Sequence, residues 1–183
     1  MSIEHDVGTN KVMNGADIHS SVSFGHFNVI GRANIGADVE VGNHCVIDDG
    51  VVIGRGTRIM SHVELRRGVV IGEDCYIDSG VTCTGSACIG DRVTLRNNVV
   101  IARGCNIGDD CFICPQVMFN NLNHLKVAVG GAHVGNDVFI GTQSVIGAGL
   151  KVAALSIVGA CSMVTKDIKS AGVYLGVPAK RVK

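Results

Sequence analysis

The sequence predicts an all-β fold, a parallel β-helix of about eight triangular coils, and three observations on spacing support that prediction. Large aliphatic residues recur at every sixth position over most of the chain. A small, mostly apolar residue follows each of them by four positions, and the third position favours residues that tolerate a positive φ. A period of six excludes an amphipathic helix, which needs about 3.6 residues per turn, and suits a short strand followed by a tight turn. Three such units close one coil, whose strands pair in parallel with the next coil.

The repeat can be followed along almost the whole chain. Its anchors are Ile35, Val41, Ile47, Ile53, Ile59, Leu65, Ile71, Ile77, Cys83, Ile89, Leu95, Ile101, Ile107, Ile113 and Phe119, then Val134, Ile140, Ile146, Val152, Val158 and Val164. A looser start covers Ile18, Phe24 and Ile30, with one residue missing before Ile35. The turn positions hold Gly50, Gly56, Gly68, Gly80, Gly104, Asn98, Asp74, Asp110, His44 and His62. We therefore expect a lead-in at 1–17, the β-helix at 18–169 with a loop at 120–133, and a C-terminal tail at 170–183.

Composition limits the kinds of partner. The chain of 183 residues has 25 Gly, two Pro, five Phe, two Tyr and no Trp, so its core must consist of Val, Ile and small residues. Lys and Arg together number 16, as do Asp and Glu, and this balance argues against binding to nucleic acid or to an anionic membrane. No apolar run approaches the roughly 20 residues of a membrane span, and no signal peptide is visible. We expect a cytoplasmic protein.

The eight cysteines fit the repeat better than they fit disulfides or a metal. Cys45, Cys75, Cys105 and Cys111 occupy the small inward position and Cys83 an anchor position, so we expect them to pack as small hydrophobic side chains. Cys111 and Cys114 have CxxC spacing, but one should point inward while the other lies on a turn. Because these cysteines are expected to remain unpaired, the sequence indicates a protein of the reducing cytoplasm.

One segment, residues 117–135, interrupts the period. Phe119 and Val134 are fifteen positions apart, where two repeats would take twelve, so the chain must leave the coil. Three asparagines and His124 lie in this interruption. Loops and asparagine turns are common in repeat proteins, yet a single interruption that holds these polar groups is a candidate site.

The chain resembles the left-handed β-helix acyltransferases of the hexapeptide-repeat family over nearly its whole length. Its "CPQVMFNNLNHLK" is similar to the catalytic segment of the sugar and xenobiotic acetyltransferases in that family. In those enzymes a proline is followed nine residues later by the active-site histidine, as Pro115 is followed here by His124. The resemblance implies a left-handed coil and a catalytic role for His124.

A second branch of the family, the N-acetyltransferases of nucleotide-linked amino sugars, is also similar. It has Phe-Thr-Asn where this chain has Phe119, Asn120 and Asn121, and "LRNNVVI" at residues 95–101 resembles the same branch. In that branch the asparagine contacts the acceptor amine. The resemblance therefore implies a catalytic role for Asn121 and acceptor binding by Asn97, Asn120 and Asn123.

The chemistry that the resemblance implies needs few groups and no metal. A hydroxyl or amine attacks an acetyl thioester, and an imidazole, whose ordinary pKa is about 6.5, is suited to remove a hydroxyl proton. The oxyanion needs a backbone N–H or amide donor. The family resemblance places acetyl-CoA along the coils that follow the loop. Its predicted contacts are Gly141, Thr142, Ala160, Thr165, Lys166, Lys180 and Arg181.

Two other functions stay open at this stage. His26, His44 and His62 are spaced by 18, so we expect two or three of them to stack on one edge of the prism. Zinc-dependent carbonic anhydrases of the γ class share the fold, and His44 and His62 could serve as zinc ligands. Histidine is also tolerated at the turn position, which explains both without a metal. The other alternative is a β-helix scaffold protein without catalysis.

The sequence as a whole favours an acetyl-CoA-dependent acetyltransferase that acts on a hydroxyl or amino group of a sugar or nucleotide sugar. His124 favours transfer to oxygen, while the asparagines favour transfer to nitrogen. Because family sites lie between neighbouring prisms, we expect a homotrimer, with no nucleic acid and no membrane among its partners.

Overall fold

The structure is a computed structural model that describes residues 3–7, by their backbone only, and residues 9–183. These residues form 28 β-strands and no helix. In chain order the strands are β1 (Ile3–Val7), β2 (Asn10–Met13), β3 (Asp17–Ile18), β4 (Ser23–Phe24), β5 (Val29–Ile30), β6 (Asn34–Ile35), β7 (Glu40–Val41), β8 (Val46–Ile47), β9 (Val52–Ile53), β10 (Arg58–Ile59), β11 (Glu64–Leu65), β12 (Val70–Ile71), β13 (Tyr76–Ile77), β14 (Thr82–Cys83), β15 (Cys88–Ile89), β16 (Thr94–Leu95), β17 (Val100–Ile101), β18 (Asn106–Ile107), β19 (Phe112–Ile113), β20 (Met118–Phe119), β21 (His133–Val134), β22 (Phe139–Ile140), β23 (Val145–Ile146), β24 (Lys151–Val152), β25 (Ile157–Val158), β26 (Met163–Val164), β27 (Val173–Leu175) and β28 (Lys180–Arg181).

The strands form three sheets, which are the faces of a prism. Sheet A has ten strands in the order β1-β2-β5-β8-β11-β14-β17-β20-β23-β26, and sheet B has eight in the order β24-β21-β18-β15-β12-β9-β6-β3. Sheet C has ten in the order β28-β27-β25-β22-β19-β16-β13-β10-β7-β4. In the regular coils neighbours are parallel and 18 positions apart, as in the pairing of Ile59 with Ile77. The predicted parallel β-helix is confirmed, with about nine turns where about eight were expected.

The repeat anchors fill the interior of the prism. Each two-residue strand turns its second residue inward, and every anchor from Ile30 to Val164 is at most 5% exposed. The small residues four positions later, such as Val39, Val51 and Val81, are buried beside them. The core is therefore a stack of aliphatic layers.

The turns also agree with the sequence prediction. All ten residues predicted to tolerate a left-handed backbone have a positive φ, for example His44 at 56°, Gly50 at 72° and Asn98 at 58°. We name the three columns of turns by the sheets that they join. Turns that follow sheet A strands form the A/B edge, those that follow sheet B strands the B/C edge, and those that follow sheet C strands the C/A edge.

A hairpin lies at each end of the prism. β1 and β2 pair antiparallel at the start of sheet A, and β27 and β28 do so at the end of sheet C. The last strand of sheet A is tied to the tail because the N–H of Met163 donates to the carbonyl of Gly176 at 3.0 Å. Each hairpin pairs with the last regular strand of one sheet, β5 of sheet A or β25 of sheet C, so that this strand is not left as an edge. Residues 1, 2 and 8 of the predicted lead-in lie outside the described residues.

The expected burial of five cysteines is confirmed. Cys45, Cys75, Cys83, Cys105 and Cys111 are at most 2% exposed, and all are free thiols. Burial raises the pKa of Cys83 to about 12 and the pKa values of Cys105 and Cys111 to about 11. Cys114 is half-buried, whereas Cys88 and Cys161 are exposed.

Native protein should therefore label slowly at five of its thiols. The thiolate is the reactive form, and both burial and the raised pKa values keep its concentration low at neutral pH. We expect a maleimide to modify only Cys88, Cys114 and Cys161 rapidly, and all eight cysteines after denaturation. Mass spectrometry of the quenched reaction gives the sites. Rapid modification of Cys75 or Cys105 in folded protein would contradict the inward orientation.

A serine should be tolerated at Cys75 and not at Cys83. The thiol of Cys75 donates to the carbonyl of Gly90 at 3.1 Å, as the hydroxyl of Ser144 donates to the carbonyl of Gly159 at 2.8 Å. No hydrogen bond of the Cys83 thiol occurs within residues 9–183. Cys83→Ser should therefore cost about 1–3 kcal/mol for an unpaired hydroxyl, and Cys75→Ser clearly less. Urea unfolding of both variants measures the difference, and equal losses would refute this explanation.

Candidate functional site

The interruption of the repeat is an insertion into a single coil. Asn106 of β18 pairs with His133 of β21, 27 positions further on instead of 18, so nine residues have been added. The added residues lie between β20 and β21, that is, on the A/B edge. The comparison of this segment with two repeats was wrong in this detail. The segment between Phe119 and Val134 takes the place of one six-residue repeat, with nine residues added.

The inserted segment folds into a small hairpin. Leu122 and Ala128 form an antiparallel bridge, and the N–H of Val129 donates to the carbonyl of Asn121 at 3.0 Å. At the tip, the side-chain oxygen of Asn123 accepts hydrogen bonds from the N–H groups of Leu125 and Val127, both at 3.0 Å. Asparagine side chains often organise turns in this way. The Asn123 oxygen thus holds the tip of the hairpin.

Close backbone contacts fix the base of the hairpin to the coils on either side. A Cβ on Gly131 would collide with the backbone of Gly104 and would lie 2.6 Å from the Cα of Cys105. On the other side, the carbonyl of Val129 is 3.1 Å from the place of a Cβ on Gly149. The hairpin therefore rises from a rigid support on the A/B edge.

His124 lies at the exposed tip of this hairpin. Its neighbour Leu125 is 67% exposed. Within residues 9–183 the His124 ring makes no hydrogen bond. Asn120 and Asn121 lie at the base and are half-buried. The N–H of Asn120 donates to the carbonyl of Ile146 at 3.0 Å, so its backbone belongs to the coil.

The predicted cofactor residues fall on two edges of the prism. Thr165 and Lys166 follow β26 on the A/B edge, two coils beyond the hairpin, which is about 9.6 Å at the usual strand spacing. Gly141, Thr142 and Ala160 lie on the C/A edge instead. Gly141 is buried, and a Cβ on it would lie 2.7 Å from the carbonyl carbon of Gly159, so its lack of a side chain permits the stacking of coils. Sheet A separates the two groups within one chain.

The other predicted contacts are distributed over the tail and the C/A edge. Lys180 and Arg181 form β28 and are exposed. The guanidinium of Arg181 donates to the carbonyls of Ala171 and Lys183, each at 3.2 Å, and so is engaged within the tail. Asn97 is half-buried on the C/A edge, one coil before Pro115.

The stack of aromatic rings at His44 and His62 differs from the sequence prediction at one position. The rings of His44 and His62 stack at 5.1 Å, as expected, but Phe27 stacks on His44 at 5.1 Å where His26 was expected. The missing residue before Ile35 shortens that coil and shifts the column by one. The His44 and His62 planes are 4° apart, so their in-plane lone pairs run parallel and do not meet at one ion. No group of three or more metal-ligating side chains occurs within residues 9–183.

Arg103 is a candidate that the sequence analysis missed. It lies on the A/B edge in the coil before the hairpin, directly ahead of Gly104. Its spacing from Arg67, two coils of 18 residues, was the signal that could have revealed it. Only the folded chain shows that Arg67 and Arg103 lie on the same edge of the prism as the base of the hairpin.

Fold and repeat together define the class, a parallel β-helix assembled from hexapeptide repeats. A family model described as "Bacterial transferase hexapeptide (six repeats)" matches residues 50–85. The match covers about a fifth of the chain and concerns the hexapeptide repeat itself. The described residues contain no helix of the length and apolarity needed to cross a membrane.

Individual relatives match over shorter stretches. The chain is 34% identical over 86 residues to the galactoside O-acetyltransferase of Escherichia coli (strain K12), which is 42% of each chain. It is 37% identical over 54 residues to a chloramphenicol acetyltransferase of Klebsiella aerogenes, 30% of this chain and 26% of that one. The match thus spans less than half the length of these relatives.

A solved structure matches over nearly the whole chain. The UDP-N-acetylglucosamine O-acyltransferase of Moraxella catarrhalis RH4 superposes with a TM-score of 0.84 at 26% identity, covering 95% of this chain and 72% of that one. An acyltransferase of the same named activity from Francisella novicida has the same TM-score at 22% identity, covering 94% and 67%. The latter likeness concerns the fold alone.

Proposed function

We propose that this chain is an acetyl-CoA-dependent acetyltransferase that acts on a hydroxyl or amino group of a sugar or nucleotide sugar, with His124 as general base. The observation that carries the proposal is the hairpin, which interrupts an otherwise regular prism and presents an imidazole at its tip. The partial sequence matches to a galactoside O-acetyltransferase and a chloramphenicol acetyltransferase support the reaction class. The reducing setting suited to eight free thiols supports a cytoplasmic location.

The proposed reaction is a direct acyl transfer. The acceptor oxygen or nitrogen attacks the thioester carbonyl carbon, and His124 removes the proton from the acceptor as the new bond forms. Negative charge develops on the carbonyl oxygen and requires backbone N–H donors. The C–S bond then breaks, and the thiolate of coenzyme A leaves with the proton from the imidazolium. Asn121, at the base of the hairpin, is placed in this proposal to orient the acceptor.

We further propose that the active form is a homotrimer with sites between prisms. The His124 hairpin lies on the A/B edge, whereas Gly141, Thr142 and Ala160 lie on the C/A edge, so a neighbouring chain can bring both groups together. Apolar side chains on the faces beside the C/A edge support such contact. Phe112 and Phe139 stack at 5.9 Å on sheet C and are 38% and 40% exposed.

Three measurements test this proposal together: turnover, mass and the thermal shift on adding acetyl-CoA. Purified protein is assayed for thiol release from acetyl-CoA with simple glycosides and with nucleotide-linked amino sugars, and its mass is determined by sedimentation. We expect turnover with at least one acceptor and a trimeric mass. No turnover with any acceptor, together with no thermal shift on adding acetyl-CoA, would instead favour a scaffold protein. A fully active monomer would contradict the shared site.

A further inference from the structure

A groove on the A/B edge, in the coils before the hairpin, has no role in the function proposed above. It has a volume of about 480 Å³. Its walls carry the guanidinium groups of Arg66, Arg67 and Arg103 and the hydroxyls of Thr82 and Thr84. Two carboxylates, those of Asp48 and Glu64, also line it. Three cations and two anions leave one positive charge in excess.

The two carboxylates of the groove are already engaged by one arginine. The guanidinium of Arg66 pairs with Glu64 and lies 3.7 Å from the carboxylate of Asp48. The nearest acid to Arg67 is Asp49, at 3.7 Å. Asp49 is itself held by Arg32, whose Nε donates to it at 3.2 Å, and this pair lowers the pKa of the carboxyl. Arg67 therefore shares an acid that is mainly bound elsewhere.

Arg103 has no acidic partner within residues 9–183. Its guanidinium folds back over the turn at Gly85, with Nη2 3.2 Å from the place that a Cβ on Gly85 would take. The carbonyl of Arg67 is also 3.2 Å from that place. A side chain at residue 85 would displace the guanidinium, so the glycine keeps Arg103 over the groove.

The hydroxyls complete a set of donors for an anion. Neither Thr82 nor Thr84 makes a side-chain hydrogen bond within residues 9–183, and both lie between the coils of Arg67 and Arg103. Those arginines are two coils apart along the edge, about 9.6 Å at the usual strand spacing. That is the spacing of their backbones; the guanidinium of Arg103 lies over Gly85 in the coil between them and is therefore closer to Arg67. A diphosphate offers one phosphate to each guanidinium, which a single phosphate does not.

We propose that this groove binds the diphosphate of a small molecule, with Arg103 and Arg67 as its cations and Thr84 as a hydroxyl donor. The planar guanidinium donates paired hydrogen bonds that match phosphate oxygens. Arg103 precedes Gly104, against which the base of the hairpin packs, so the groove lies beside the hairpin that carries His124. The further assignment of the diphosphate to the acetyl acceptor rests on the proposed function, whereas the binding of the diphosphate does not.

Isothermal titration with inorganic pyrophosphate, inorganic phosphate and UDP tests the site directly. We expect pyrophosphate to bind about tenfold more tightly than phosphate, and Arg103→Gln to weaken pyrophosphate binding by about tenfold or more. Thr84→Val should weaken it less, and Arg103→Lys should fall between Gln and the original residue. Tighter binding of UDP than of pyrophosphate would identify a nucleotide as the source of the diphosphate. Equal binding of UDP and pyrophosphate would indicate that the groove recognises the diphosphate without specific contacts to the base.

Arg58 provides the matched control. It is also exposed, lies on sheet C, a different face of the prism from the groove, and is 3.6 Å from the carboxylate of Glu40. Arg58→Gln should leave pyrophosphate binding unchanged. An equal loss in Arg58→Gln and Arg103→Gln, no binding of pyrophosphate, or equal binding of phosphate would overturn the proposal. Acetyl-CoA binding is measured on the same variants, so failure of the transferase proposal is seen separately.

Discussion

His124→Ala should lower kcat by about 10²–10⁴-fold and leave acetyl-CoA affinity nearly unchanged. The substitution removes the proposed base from the tip of the hairpin. Within residues 9–183 the imidazole makes no hydrogen bond, so its loss should not disturb the fold. Steady-state kinetics with the best acceptor, together with titration of acetyl-CoA, measures the two effects.

His133→Ala is the matched control for that experiment. His133 is also exposed and lies at the end of the same insertion, but it faces outward from sheet B. The His133→Ala variant should retain nearly normal turnover. Near-normal turnover of His124→Ala would remove the histidine from the mechanism.

Asn121→Ala separates transfer to oxygen from transfer to nitrogen. If His124 acts as base toward a hydroxyl, Asn121→Ala should act mainly on KM for the acceptor. An amine can lose its proton to water or to the departing thiolate. Transfer to nitrogen therefore predicts a dispensable His124 and a critical Asn121. Both variants are compared with hydroxyl and amine acceptors under one set of conditions.

Gly131→Ala should abolish most activity without changing any group proposed for chemistry. The new Cβ would collide with the backbone of Gly104 and Cys105, and backbone cannot move aside as a flexible side chain can. Overpacking of this kind typically costs about 1–3 kcal/mol. Because the collision lies at the base of the hairpin, we expect the hairpin to be displaced and kcat to fall by at least about tenfold.

Gly50→Ala is the control for the loss of stability. Gly50 has a φ of 72° and no heavy atom within 4 Å of its virtual Cβ, so alanine there should cost only the backbone strain of about 1–2 kcal/mol. Gly50→Ala should therefore destabilise the protein while retaining kcat at temperatures where it is folded. Equal kcat values for the two variants would show that the base of the hairpin does not position His124.

Sequence periodicity was sufficient for most of the fold. The anchors had to point inward because strands alternate, and the ten predicted turn residues are of types that tolerate a positive φ. The same reasoning located the five buried cysteines. It failed for His26, because the one-residue deletion before Ile35 moved Phe27 into the column that stacks on His44.

The candidate site could be predicted only in part. The sequence by itself determined that a long insertion breaks the period after Phe119 and that His124 lies in it, since local spacing is a property of the chain alone. Only the tertiary structure decided that Asn123 holds the hairpin tip, that Gly131 fixes its base, and that Arg67 and Arg103 line one groove. The physical reason is that residues 18 or 36 positions apart become neighbours only when successive coils stack. The directions of their side chains are then set by packing and hydrogen bonding across those coils.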